Sequence, residues 1–193
     1  MKGRAEMEPY PQMKPEAGAL PTASHEPLWQ VLQAKVPPLA GARVLALHCH
    51  DGAFCRAAIN AGAIAVLGVD HDGTAISHAR DLASSDRLRF RIMPDRRYDL
   101  LTGPYDLIVG PFSLPTDDLH RSSHLLAKLL RPNGQMLLAV SGGQSEGQVR
   151  SKLSSWLTVT ECFRPKQSEL AGSLIIIAQR AKAAGNPKQR RQH

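Results

Sequence analysis

Short apolar runs alternate with amphipathic stretches through the middle of this chain, and the period switches repeatedly between strand and helix. Residues 43–47 form a short strand, continuously apolar from Val44 to Leu47, followed by an alanine-rich helical stretch over 53–61 that ends at Gly62. A second run over 65–69 precedes a helix over 74–83. Residues 87–92 alternate strictly, with Leu88, Phe90 and Ile92 on one face and Arg87, Arg89 and Arg91 on the other. That pattern predicts a half-exposed edge strand, because strands covered on both faces read as unbroken apolar runs. Residues 106–109 are a buried strand, apolar from Leu107 to Val109, and lead into a loop with Pro111 and Pro115. An amphipathic helix is expected over 117–130, stopping before Pro132-Asn133-Gly134. A strand over 135–140, a helix over 146–157 and two strands near 158–163 and 173–178 complete the series. The last two flank a turn at Pro165 and suit an antiparallel pair.

This alternation predicts an α/β fold with a mostly parallel sheet, helices on both faces and a site at the carboxyl ends of the strands. Before it, Glu26-Pro27 opens a short helix carrying Leu28, Trp29, Val31 and Leu32, ending near Pro37-Pro38. Residues 1–24, with Pro9, Pro11, Pro15 and Pro21 and little periodicity, read as an extended arm. The domain is expected over 25–180, with a polar tail over 181–193.

Length and composition narrow the class without changing this picture. The 193 residues, 42% hydrophobic and 21% charged, suit one globular domain with tails. No apolar run approaches the roughly 18 residues of a membrane span, and the first residues lack the apolar core of a secretory signal. Three cysteines without framework spacing suit a reducing interior, so a cytoplasmic location is expected. The net charge of +7 suggests nucleic acid until it is located. Arg180, Lys182, Lys188, Arg190 and Arg191 supply most of it, and without them 19 basic residues face 17 acidic ones. The tail is therefore expected to be solvated, with phosphate contact as the less favoured reading.

The first strand–loop–helix, Val44 to Ala58, reads VLALHCHDGAFCRAA. A helix N-terminus after a tight loop favours an anion or carboxylate. The second strand ends in Gly68-Val69-Asp70, where an acid can accept hydrogen bonds from a ribose diol. The competing role for Asp70 is the N-cap of the helix that starts near Thr74. His48, Cys49, His50, Asp51 and Cys55 at one strand tip, with Asp70, His71 and Asp72 at the next, also hold the donors that zinc prefers. No CxxC or HxxxH spacing among these residues supports a closed site, so polarity without a metal is the expectation.

Taken in order, GARVLALHCHDG, GAIAVLGVDHDGTAISHAR, YDLIVGPFSL and LLRPNGQMLLAV resemble the core of the class I S-adenosylmethionine-dependent methyltransferases, near the type 11 group. The resemblance covers residues 41–140. It implies a Rossmann-like, seven-stranded, mostly parallel sheet with an antiparallel last strand, and S-adenosylmethionine held over the first two strand tips. The family's first loop usually reads like VLDLGCGTG. Here Ala46 stands in place of the acid, His48 and His50 replace two glycines, and Gly52 is kept. By resemblance, the cofactor-binding candidates are His48, His50, Gly52, Asp70, His71, Asp95 and Pro111. Asp95 is the candidate for the adenine amino group.

The resemblance places Pro111, Phe112 and Ser113 where acceptors usually sit. Gly110-Pro111-Phe112 lacks the polar residue and second proline of adenine methyltransferases, and Ala139 replaces the strand lysine of ribosomal-RNA 2′-O-methyltransferases. A small-molecule acceptor is therefore expected. No side chain stands out as a general base; His120 and His124, one helical turn apart, read as a solvated pair. The alternative to methyl transfer is a catalytically silent binding or scaffold protein, favoured by Ala46, His48 and His50. A nicotinamide enzyme is disfavoured, since no GxGxxG follows a strand.

Overall fold

The computed structural model describes residues 27–94, 97–113, 119–141, 143–166, 170 and 172–181. The elements are α1 (Pro27–Gln33), β1 (Arg43–Leu47), α2 (Ala53–Asn60), β2 (Ala65–Asp70), α3 (Gly73–Leu82) and β3 (Leu88–Ile92). They continue with a 3-10 turn (Tyr98–Leu100), β4 (Tyr105–Ser113), α4 (Leu119–Leu129), β5 (Leu130–Ser141), α5 (Glu146–Leu153), β6 (Leu157–Phe163) and β7 (Ser173–Arg180). The arm over 1–24 and the tail from 182 onward lie outside the described residues. Ala181 still belongs to the body, since its amide donates to the Trp156 carbonyl at 3.0 Å.

All seven strands join one sheet in the order β3-β2-β1-β4-β5-β7-β6. The pairings from β3 through β5 are parallel, and β7 runs antiparallel to both β5 and β6. The continuous apolar run of β1 has a direct cause: both faces are covered. Val44 and Ala46 pack with Trp29, Phe54 and Ile76 on one side. Leu45 and Leu47 pack with Phe112, Leu126 and Val149 on the other. Helices α1–α3 therefore cover one face, and α4 and α5 the opposite one. Strand order reverses beside β1, between β2 and β4, which is where open α/β sheets leave a crevice at their carboxyl ends.

Three expectations are corrected. Strand β4 runs through Pro111 to Ser113, so Pro111 and Phe112 lie in the sheet and not in a loop; Pro111 pairs with Ala139 in register. Strand β5 starts at Leu130, because Tyr105 of β4 pairs with Leu130 before a register shift; Pro132-Asn133-Gly134 thus lies inside the strand. Ile92 is 49% exposed although Leu88 and Phe90 of the same alternating set are buried. It pairs with Asp70, the last residue of β2, beside the start of α3, where the covering core has ended.

Candidate functional site

The loop between β1 and α2 is built from left-handed residues at alternate positions: His48 (φ 48°), His50 (φ 48°) and Gly52 (φ 75°). The turn expected of glycines therefore survives with histidine, a residue type enriched among non-glycines in this region. Holding two such residues there costs about 1–3 kcal/mol each, which the surrounding contacts must offset. Cys49 donates its amide to the Val69 carbonyl at 3.1 Å, and Gly52 donates to Cys49 O at 2.8 Å. Gly52 is needed for packing: a Cβ there would run into the Phe90 ring. Gly68 of β2 serves the same wedge, since its Cβ would lie 2.7 Å from Phe90 and 2.8 Å from Cys49 Sγ.

The alternating kinks sort the side chains of the loop. Cys49 and Cys55 turn inward and are buried in the α1–α3 core. The hydrogen bond with Cys49, together with burial, pushes the Cys55 thiol well up, which keeps it protonated and unsuited to ligating a metal. Asp51 stays at the start of α2, accepting from Ala53 N at 3.0 Å and pairing with Arg56 at 3.3 Å. Ala46, in place of the expected acid, is fully buried in the same core.

Asp70 ends β2 with 3% of its surface exposed. Oδ2 accepts from the His50 amide at 2.9 Å and Oδ1 from the Asp72 amide at 3.0 Å. Burial pushes its carboxyl up, but the amides of Asp72 and His50, with the imidazoles of His50 and His48 nearby, outweigh it and hold it below its ordinary value. It is therefore a charged acceptor at neutral pH. The N-cap role falls to Asp72, which accepts from Thr74 N at 2.8 Å and Ala75 N at 3.2 Å.

A cleft of about 200 Å³, open to solvent, lies at these strand tips, lined by Leu47, His48, Val69, Asp70, Met93, Pro94 and Tyr98. Of the sequence candidates, His48 and Asp70 therefore line it. His71 stands beside Asp70, with its Nδ1 3.3 Å from Oδ1. His50 contributes its backbone amide while its side chain faces solvent, and Gly52 is buried beneath Phe90. Pro111 is half-buried in β4 and does not line the cleft. Phe112 is buried, stacked on Tyr98 at 5.9 Å. Asp95 lies outside the described residues. Met93 and Tyr98 escaped the sequence reading, whereas Pro94 is the residue that strict alignment puts in place of Asp95. The signal for Met93 was the end of β3, next to β2, where Met93 N donates to Asp70 O at 2.8 Å.

His120 is exposed and His124 half-buried, and both also face Trp156, with ring centroids 5.9 Å and 3.9 Å away. Residues one helical turn apart share a face, and here that face meets the start of β6.

Comparison with known proteins places this architecture. No family model matches the sequence, and no curated protein sequence does. Solved structures do match in shape. A Mesorhizobium loti S-adenosylmethionine-dependent methyltransferase superposes with TM-score 0.65 at 20% identity, covering 79% of this chain and 97% of that one. A Listeria monocytogenes protein described as such a methyltransferase gives 0.68 at 15%, covering 80% and 98%. The Synechocystis magnesium protoporphyrin IX methyltransferase, solved with bound S-adenosylmethionine, gives 0.61 at 20%, covering 79% and 75%. Strand order, the antiparallel β7 and these superpositions agree: the chain has the Rossmann-like fold of the S-adenosylmethionine-dependent methyltransferases.

Proposed function

We propose that the protein binds S-adenosylmethionine at the tips of β1 and β2 and transfers its methyl group to a small-molecule acceptor. The observation that carries this reading is Asp70: an ionised carboxylate at the tip of β2, on the wall of the cleft, in a sheet of this order. The residues present suit the nucleoside half of the cofactor. Asp70 would accept from the ribose diol, and Leu47, Val69, Met93 and Pro94 offer an apolar wall to a flat base. Tyr98, fixed against Phe112, closes that wall. His48 and His50 would flank the methionine half, where their backbone turns keep the approach that glycines give and their rings narrow it.

The bound sulfonium supplies an activated methyl group, so the chain's task is alignment and exclusion of water rather than proton removal. That division asks no base role of the imidazoles of His48 and His71 beside the cleft. The choice of a small acceptor rests on Gly110-Pro111-Phe112 and Ala139, which lack the groups that nucleic-acid methyltransferases would need. Phe112 and Ala139 are also buried in the sheet. Thermal melting with adenosine, methionine and S-adenosylhomocysteine tests the division of the pocket. Adenosine and S-adenosylhomocysteine should both raise the melting temperature, and methionine alone should not. Stabilisation by methionine without adenosine would contradict the assignment.

One observation favours a second reading, a binding protein without catalysis. Most of the cleft is open solvent: its enclosed space is about 10 Å³, room for about one water, whereas ligand pockets usually begin at roughly 300 Å³. A protein that binds S-adenosylhomocysteine as tightly as S-adenosylmethionine but turns over no small-molecule acceptor would support it.

A further inference from the structure

The left-handed kink at His48 and the end of β2 bring three donor groups together from two strand tips. One ligand atom each from His48, Asp70 and His71 lies within 4.8 Å of the other two. The two imidazoles meet edge to face, with ring centroids 5.9 Å apart at 66°. His71 Nδ1 is 3.3 Å from Asp70 Oδ1. Two ligands about 2.1 Å from a tetrahedral cation lie about 3.4 Å apart, so this edge already has the length a zinc site needs.

The chemistry of the set is also selective. Two imidazoles and one carboxylate, without a thiolate, suit zinc or a neighbouring first-row divalent cation rather than calcium or magnesium. The Asp70 carboxylate is already oriented: the His50 amide fixes Oδ2 and the Asp72 amide occupies one side of Oδ1. The His71 side chain is 60% exposed. A cation there would keep solvent on its remaining positions, as open sites with three protein ligands do.

We propose that His48, Asp70 and His71 form a binding site for a divalent transition cation, zinc foremost, at the mouth of the cleft. The burial of Cys49 and Cys55 is what separates this trio from the mixed Cys/His pattern of the sequence. Cation binding here does not depend on cofactor binding, although the two sites would share His48 and Asp70.

Cobalt(II) titrated into the full chain after chelator treatment and dialysis, with no cofactor present, tests it through visible absorption. One equivalent should bind with the intense bands of a low-coordinate cobalt centre, and zinc should displace it. His71→Gln should weaken binding on the order of tenfold or more. The exposure of His71 makes it removable without unfolding, so melting in chelator should match the parent. His78→Gln and a His120→Gln/His124→Gln double variant should bind as the parent does. Absence of cobalt binding in the parent, or equal affinity in folded His71→Gln, would overturn the proposal.

Discussion

The backbone amide of His50 donates to Asp70 Oδ2 at 2.9 Å, so the carboxylate that borders the cleft also ties the loop after β1 to the tip of β2. Asp70→Ala should therefore lose stability as well as an acceptor for ligand. Two amides lose their partner, at a cost of about 1–3 kcal/mol. Asp70→Asn, which keeps one acceptor oxygen, should lose less. Urea denaturation measures both, and an unchanged midpoint in Asp70→Ala would contradict the tie.

Glycines at the strand tips should rank by what a methyl group would meet. A Cβ on Gly110 (φ 148°) would run into the Leu47 carbonyl oxygen, which is backbone and unable to turn aside. Gly52→Ala meets the buried Phe90 ring. Both substitutions should destabilise, by about 1–3 kcal/mol or more, with Gly110→Ala the worse. His50→Gly should be neutral or stabilising, because the left-handed strain it releases matches or exceeds the cost of the added unfolded-state entropy. A loss above about 1 kcal/mol in His50→Gly would mean that its side chain makes contacts the fold relies on.

The histidine–tryptophan cluster should make stability depend on pH. Burial, with Lys128 and His120 nearby, holds the His124 imidazole below the ordinary histidine value. A depressed folded value means that the unfolded chain takes up the proton first. The contribution of His124 is thus intact above about pH 6.5, the unfolded value, and is lost as pH falls through the folded one. Melting temperature should fall more steeply between about pH 7 and pH 5 in the parent than in His124→Gln. Parallel curves would remove His124 as the cause.

Most of the sheet was legible because its signal is periodic. Both faces of β1 and the middle of β4 are covered, so they read as apolar runs, and β3 alternates because it is an edge. What misled was local. Pro132-Asn133-Gly134 looks like a break, yet β5 carries through it beside β4, where the shifted pairing of Tyr105 with Leu130 starts the strand early. The site was less legible than the fold. Asp70 follows from its position at the strand end. The fate of its neighbours turned on dihedral angles that composition does not reveal: kinks at residues 48 and 50 drive Cys49 into the core and leave His50 outside. Met93 and Pro94 reach the cleft by following β3 past its pairing with β2, and Tyr98 from the 3-10 turn beyond, tertiary relations with no residue motif of their own.

Removing residues 182–193 should leave the melting temperature unchanged, because that segment has no apolar periodicity to bury. Truncation that also removes Ala181 loses its bond to Trp156. If the basic tail contacts nucleic acid, full-length protein alone should show salt-dependent retention on it. Equal retention of both forms at low salt would clear the tail of that role.

The central claim is that the pocket around Asp70 holds S-adenosylmethionine, and calorimetric titration of the full chain with S-adenosylhomocysteine tests it most directly. Saturable one-to-one binding is expected, weakened in Asp70→Asn with the fold intact. Ligand at 100 times its dissociation constant should add about 2.7 kcal/mol of stability. A flat titration at millimolar ligand, with the protein folded, would contradict the claim.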